Sequence, residues 1–306
     1  MPSTQVDKPE TQSLLDRVAG LDQSGGTPRV KAITRRIVGD LYATIDAFDV
    51  SPEEFWGALH YLQGAAPEFG LIAPGLGFDH FLDVRMDAED AAAGVSGGTP
   101  RTIEGPLYVP GAPQSDGFAR LDDGSDSGDA LVIHGKVLDQ HGAAVAGAVV
   151  DVWHANTAGG YSHFDPTQKP FAYRRSIRAD ADGRYKFQSI VPSGYAVPPG
   201  GSTEKLLDAL GRHGRRPAHI HFFVSAPGYR HLTTQINIAG DPDLYDDFAY
   251  ATRDGLIPAI ARRDGGSGVE GIEGSYAEIV FDFELVATSD AAQAEVSKRP
   301  RAEANA

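Results

Sequence analysis

The apolar residues of this chain change period partway along it, and that change limits the folds open to it. Between residues 30 and 48, Val30, Ile33, Ile37, Val38, Leu41, Ile45 and Phe48 recur at three- and four-residue steps, with Lys31, Arg35, Arg36, Asp40 and Asp46 between them. That spacing predicts a long helix with one apolar stripe. Ser51-Pro52-Glu53-Glu54 supplies a capping residue, a proline at the first helical position and a glutamate three residues after the cap, so a second helix is predicted to run to about residue 63. Residues 78–84 read as a third helix, whereas Ala73-Pro74-Gly75-Leu76-Gly77 is too rich in Pro and Gly and reads as a loop.

From about Asp129 the period is two. Residues 131–138, 148–153, 184–190, 219–225, 232–238 and 278–286 are rich in β-branched and aromatic side chains, and Gly, Pro or Asp punctuates the gaps. Strands at this spacing without intervening helices predict an antiparallel β-sandwich, so the fold expected is mainly β with a helical N-terminal part. Asp180-Ala181-Asp182-Gly183 reads as a hairpin turn. The expected division is a helical part at residues 1–105, a β-sandwich at 106–287, and a loosely held Ala-rich tail at 288–306.

Composition narrows the chemistry. Acidic residues outnumber basic ones by 42 to 27, a formal net charge of −15, which leaves no basic surface for nucleic acid or anionic lipid. With no cysteine in 306 residues, disulfides and thiolate ligands are both excluded, and a metal would be held through nitrogen and oxygen. The first ten residues lack the basic-then-apolar pattern of a signal peptide, and no apolar run approaches the ~18 residues of a membrane span, so a cytoplasmic protein without membrane insertion is expected.

Arg216-Pro217-Ala218-His219-Ile220-His221 is the sharpest local signal. Residues two apart on a strand share a face, so His219 and His221 present two imidazoles side by side, as metal ligands or as decoration of a solvated face. Tyr161 directly follows a strand, and Tyr195 lies in Pro192-Ser193-Gly194-Tyr195-Ala196-Val197-Pro198-Pro199-Gly200, a segment that no regular element should contain. Loop tyrosines are commonly packing residues, and their spacing alone does not separate that role from ligation. His219 and His221 with a carboxylate such as Asp165 would also suit a zinc hydrolase, and a non-catalytic binding sandwich would account for the β half but not for the tyrosine and histidine pairs.

Tyr161, Tyr195, His219 and His221, with Arg216 three residues before the first histidine, resemble the two-tyrosine, two-histidine pattern of the intradiol ring-cleavage dioxygenases. The resemblance runs over about residues 28–286, through Leu71-Ile72-Ala73-Pro74-Gly75-Leu76-Gly77, Pro100-Arg101-Thr102-Ile103-Glu104-Gly105-Pro106-Leu107-Tyr108, Asp151-Val152-Trp153-His154-Ala155-Asn156 and Leu232-Thr233-Thr234-Gln235-Ile236. It is nearer to the catechol 1,2-dioxygenase branch than to the protocatechuate branch. It implies an N-terminal helical domain that helps form a homodimer, in some members around a bound phospholipid, and a catalytic β-sandwich.

The same resemblance implies one Fe(III) per subunit on those four residues, with O₂ as co-substrate and catechol cleaved to cis,cis-muconate in the degradation of aromatic compounds. Two phenolates are hard anionic donors that favour ferric over ferrous iron, and a phenol that titrates near pH ~10 becomes a phenolate at neutral pH only beside such a charge. Arg216 would stabilise negative charge on the substrate, and Gln235 would orient its neighbours. Tyr195 matches the family's releasing axial tyrosine and Tyr161 the retained equatorial one. Pocket positions correspond to Leu71, Pro74, Ile103, Pro106, Leu107, Phe248 and Ala249, an apolar slot without a cation for a ring carboxylate. Tyr108 and Arg178 are further candidates for contact, while His134, His154 and His231 read as structural. Catechol and its methyl, chloro and hydroxy derivatives are not separated at this level.

Overall fold

The computed structural model describes residues 5–264, 272 and 274–288; beyond Thr288 the expected tail therefore lies outside the described residues. The chain divides into two compact units, Met1–Ala66 and Pro67–Ala306. The first contains α1 (Pro9–Val18), α2 (Pro28–Ala47) and α3 (Pro52–Ala65), each opening on a proline whose missing N–H falls where a helix has no partner for it. At α3 the expected cap forms in full, with Ser51 Oγ accepting from the Glu54 amide and the Glu54 carboxylate accepting from the Ser51 amide. Arg35 of α2 ties back to Asp16 and Gln12 of α1. The apolar stripe of α2 nonetheless stays open, with Val30, Ile33, Ile37 and Leu41 between 45% and 59% exposed.

The second unit begins with α4 (Phe69–Gly75) and α5 (Phe78–Ala92). The first of these overturns the loop expected at residues 73–77. Pro74 falls in the last turn of a seven-residue helix and its i−4 neighbour is Gly70, so only one intrahelical bond is lost and no side chain sits on the crowded carbonyl. Gly77, with φ of 76°, then ends α4 and starts α5 in a left-handed conformation that suits glycine.

Thirteen short strands follow among the described residues. One sheet holds β1 (Gln114–Asp116), β5 (Arg174–Arg178), β4 (Val149–His154), β9 (His219–Ser225) and β10 (Leu232–Asn237), in that spatial order. The other holds β11 (Ala261–Arg263), β12 (Tyr276–Val280), β3 (Ala130–Asp139), β6 (Arg184–Ile190) and β2 (Phe118–Arg120), with β13 (Phe283–Leu285) also on β3. A two-residue ladder joins β7 (Tyr195–Ala196) to β8 (Arg215–Arg216), so Tyr195 is in regular pairing after all. The expected sandwich is present, but it is mixed. Its central ladders are antiparallel, whereas β1, β2, β12 and β13 pair parallel.

Two further differences have local causes. The strand expected over residues 278–286 is split because Phe281 crosses over Gly135, where an added Cβ would stand 1.8 Å from the Phe281 carbonyl oxygen. The Asp180–Gly183 turn closes as expected, with the Gly183 amide donating to the Asp180 carbonyl at 3.0 Å, yet it passes the chain from β5 in one sheet to β6 in the other. It is a corner between layers and not a hairpin. Leu131, Ile133, Val150, Val152, Phe187, Ile220, Phe222, Val224, Ile236 and Ile279 fill the space between the sheets. Fully burying each such side chain contributes about 1.5–3 kcal/mol.

At the end of β4, the His154 Nδ1–H donates to the Ala155 carbonyl at 2.7 Å, so Nε2 is left to accept from the Ser189 hydroxyl at 2.8 Å. Burial lowers the pKa of this ring from 6.5 to about 4. Between those values the unfolded chain binds a proton that the folded chain refuses, so the contribution of His154 is complete above pH ~6.5 and is lost as pH falls toward 4. At pH 5 the loss is about 2 kcal/mol. Urea unfolding at pH 7 and pH 5 should therefore show a larger drop for the wild type than for His154→Gln; equal drops would mean that His154 titrates normally in the folded protein.

Candidate active site

Strand β9 carries two sets of side chains on opposite faces. Ile220, Phe222 and Val224 point into the sandwich core, and His219, His221 and Phe223 point to the other face of the same sheet. Register then builds a row across three strands, with Trp153 of β4 and Gln235 of β10 both opposite His221, and Asn237 opposite His219. The Trp153 ring stacks on His221 at 4.9 Å and 6° between planes, which fixes the imidazole's orientation. Both histidines are 1% exposed.

The sequence reading that the two imidazoles stand together holds, with ring centres 4.6 Å apart and the Nε2 atoms separated by 3.1 Å. His219 Nδ1 lies 2.6 Å from the Pro217 carbonyl and must carry its proton there, which leaves a lone pair on Nε2. Burial and the neighbouring Arg216 charge hold the His219 pKa down to about 3, so this ring is neutral throughout the physiological range. The Tyr161 hydroxyl lies 3.4 Å from the same Nε2. The Tyr195 ring packs on both, with centres 5.5 Å from Tyr161 and 5.5 Å from His219.

Tyr161 and Tyr195 differ in setting. Tyr161 is buried among Trp153, Ala155 and Phe223, and the Arg174 guanidinium lies 5.8 Å from its ring centre. Burial, then the adjacent Tyr195, pushes its phenol well above the ordinary range, so only a strong local cation would make it anionic. Tyr195 is half-buried, and its backbone is held against Arg216 by the β7–β8 ladder. Freedom at Tyr195 is therefore a matter of its side chain, not of a slack loop.

Arg216 is buried at the centre of this group. Its Nε and Nη2 donate to the two oxygens of Asp247, each at 3.1 Å, Nη2 also donates to Gln235 Oε1 at 2.9 Å, and Nη1 donates to His219 Nε2 at 3.0 Å. Burial works against both charges, but the pairing prevails: Arg216 is held above its ordinary pKa and Asp247 below. Gln235 thus steadies Arg216, while its Nε2 donates to Asn237. Asp247 was missed in the sequence. It directly precedes the pocket positions Phe248 and Ala249, but a partner 31 residues away leaves no local mark.

The apolar candidates gather in two clusters. Ile103, Phe248 and Ala249 pack with Val197, Leu207 and Ala251, and Leu107, Tyr108 and Tyr195 pack against the cluster of Trp153, Ala155, Tyr161 and Phe223. Leu71 and Pro74 share an α4 face with Gly75, whose missing Cβ would stand 3.3 Å from the Phe248 ring, and Pro106 meets α4 at Gly70. Residues 100–105 are fastened across the site by Thr102, whose amide donates to the Thr233 carbonyl and whose hydroxyl donates to the Ala251 carbonyl. Arg178 is exposed beside Asp116 and takes no part in the cluster. His134 pairs with Glu278, and His231 packs edge-on to Phe223.

The donors fit a ferric ion. Two nitrogens each about 2.1 Å from one first-row metal ion, at roughly a right angle, stand about 3 Å apart, as the two Nε2 atoms do. Among the described residues no group of three or more His, Cys, Asp or Glu is placed to hold a metal ion. The zinc alternative lacks its carboxylate, since Asp165 accepts from Thr167 and Gln168 in its own turn. Any ion held here would depend on the tyrosines, the hard donors suited to iron(III).

Two family models match the chain: "Dioxygenase" over residues 103–287 and "Catechol dioxygenase N terminus" over residues 27–94. A catechol 1,2-dioxygenase 2 from Acinetobacter lwoffii is 60% identical over 261 residues, which is 85% of this chain and 95% of the relative. A catechol 1,2-dioxygenase from Pseudomonas sp. (strain EST1001) is 53% identical over 299 residues, 96% and 98% of the two chains. Among solved structures, the catechol 1,2-dioxygenase from Acinetobacter sp. ADP1 inhibited by bound mercury superposes with a TM-score of 0.94 at 50% identity, covering 98% of this chain and all of the other.

The buried ion pair yields a stability prediction that needs no ligand. Arg216→Leu leaves the Asp247 charge buried without its cation, which should lower unfolding free energy by about 3–5 kcal/mol, and adding Asp247→Asn, which removes that charge but keeps an oxygen for the Ala249 amide, should restore part of it. Urea denaturation of the single and double variants decides this. No recovery in the double variant would place the loss in packing instead of charge.

Proposed function

Because the chain belongs to the catechol dioxygenase family over both its N-terminal and its catalytic part, we propose that it opens the ring of catechol between the two hydroxyl-bearing carbons, both atoms of O₂ entering cis,cis-muconate. It is an enzyme of the catechol 1,2-dioxygenase type. The observation that carries the reading is the meeting of His221 Nε2, the Tyr161 hydroxyl and Arg216 Nη1 at the lone pair of His219, beside the Tyr195 ring. Tyr161, Tyr195, His219 and His221 would hold the iron(III), which when bound makes catechol hydroxyls acidic and the ring electron-rich toward O₂.

The protein's own groups account for the remaining work. Tyr195, anionic while it would hold the ion, can take up one substrate proton at its Oη and become a neutral phenol, the role of a base already positioned in the site. Tyr161, packed on all sides, stays in place. With the His219 lone pair committed to the ion, the Nη1 arm of Arg216 is left to face the charge that develops on the substrate, inside a site where water is excluded. Ile103, Leu107, Phe248 and Ala249 supply flat apolar walls suited to an aromatic ring whose polar atoms point the other way, with Leu71, Pro74, Pro106 and Tyr108 beyond them. Such walls discriminate a ring methyl or chlorine by only ~1–3 kcal/mol, so substituted catechols remain within reach.

The reading extends to the rest of the chain. The stripe from Val30 to Phe48, with Val30, Ile33, Ile37, Leu41 and Phe48 exposed, is assigned to a two-fold contact between subunits, where a family-type phospholipid would also lie. No helix among the described residues is long and apolar enough to cross a membrane.

Two tests follow. Iron-loaded protein should be wine-red from phenolate charge transfer and should consume O₂ when given catechol; a colourless, inactive preparation would sink the reading. Tyr195→Phe should keep iron and give an anaerobic substrate-complex spectrum like that of the wild type, with slower turnover for want of the base, whereas Tyr161→Phe should change that spectrum. The reverse pattern would exchange the two roles. For the helical unit, Ile37→Glu with Leu41→Glu should give a monomer by light scattering, and a dimer of unchanged stability would remove α2 from the interface.

A further inference from the structure

We infer that Asp247 is a positioning residue for ring cleavage, aiming Arg216 at the reacting centre and at the same time setting the pocket wall at Phe248 and Ala249. This rests on the ring-cleavage reading and adds to it a residue that touches neither metal nor substrate. The Asp247 side chain is 2% exposed, and each of its oxygens accepts twice: Oδ1 from Arg216 Nε at 3.1 Å and the Ala249 amide at 3.0 Å, Oδ2 from Arg216 Nη2 at 3.1 Å and the Ala251 amide at 3.3 Å. A guanidinium is a planar fork with five donors. Once Asp247 holds the Nε/Nη2 edge, and Gln235 the second hydrogen of Nη2, the planar fork fixes Nη1 in place, 3.0 Å from His219 Nε2.

The same two oxygens bend the chain after Asp247. By taking the amides of residues 249 and 251, the carboxylate folds residues 247–251 into a tight loop that presents Phe248 and Ala249 beside Ile103. The Phe248 amide also donates to the Arg215 carbonyl at 3.1 Å, so this loop and the strand bearing Arg216 form one body. A displaced carboxylate would therefore misaim Arg216 and shift the wall together. No other carboxylate is bonded to Arg216 among the described residues.

Asp247→Glu tests this in the iron-loaded enzyme, because it keeps the buried charge pair while moving the carboxylate by one methylene. Its kcat for catechol should fall about 100-fold, as misaligned catalytic groups do, with KM, iron content and the anaerobic substrate-complex spectrum little changed. Preference for catechol over 4-methylcatechol should shift by about tenfold as the wall moves. In an Arg216→Lys background the same change should alter kcat by no more than about twofold, because its effect runs through Arg216. Asp247→Asn is the companion variant, with activity expressed per bound iron. A kcat near wild type in Asp247→Glu, a loss that only tracks bound iron, or full additivity with Arg216→Lys would each overturn the positioning role. A wild type without catechol-dependent O₂ uptake would instead overturn the reading beneath it.

Discussion

Strand β9 is buried on both faces, and the two faces constrain each other. Sliding a strand by one residue exchanges its faces, so Ile220, Phe222 and Val224 can enter the sandwich core only in the register that sends His219 and His221 to the far side. Core hydrophobicity thereby fixes the direction of two imidazoles that make no contribution to the core. Neighbouring strands complete the arrangement from the same alternation: β4 brings Trp153 onto His221, and β10 brings Gln235 beside it. The site inherits its geometry from the sheet, and its loops add to a frame already set.

Charge supplies the second layer. Two guanidiniums lie buried near the tyrosines, and they are compensated in different ways. Arg216 has a carboxylate that meets it at two points. Arg174 donates to the hydroxyl and carbonyl of Ser162, both neutral, and burial lowers its pKa to about 10. A buried cation with only neutral acceptors favours negative charge in its surroundings, and the Tyr161 ring centre lies 5.8 Å from it. Around His219 the environment favours the neutral, lone-pair form, and around Tyr161 it favours an anion once a strong cation can remove the proton. Both tendencies suit a hard trivalent ion.

Much of this was legible in the chain itself, where a side chain's role depends on near neighbours. Period two placed the histidines on one face, period 3.6 found α2, and Ser51 through Glu54 announced α3 down to its reciprocal hydrogen bonds. What escaped depends on distant partners. The proline-rich run at residues 73–77 read as a loop because the tolerance of Pro74 depends on Gly70 and on its place in the last turn. Asp180–Gly183 has the residues of a tight turn, but nothing local says that the chain will change sheets. Gly135 is required by the crossing of Phe281, and Asp247 by Arg216; in both cases the explanation lies far away in the sequence. The tyrosines fall between these cases, since their neighbourhood marked them as unusual and only a family pattern suggested a role.

The segment at residues 100–105 also closes the open side of a sheet. Strand β10 is the last of its sheet; its outward carbonyl at Thr233 accepts from the Thr102 amide, and the Thr234 side-chain hydroxyl donates to the Pro100 carbonyl. The stretch that carries Ile103 across the site therefore doubles as an edge guard, of the kind that keeps flat apolar strands from pairing between molecules. Attempts to enlarge the proposed substrate pocket by loosening this stretch would uncover a template for intermolecular pairing. Solubility, rather than chemistry, then becomes the limit on how far this pocket can be widened.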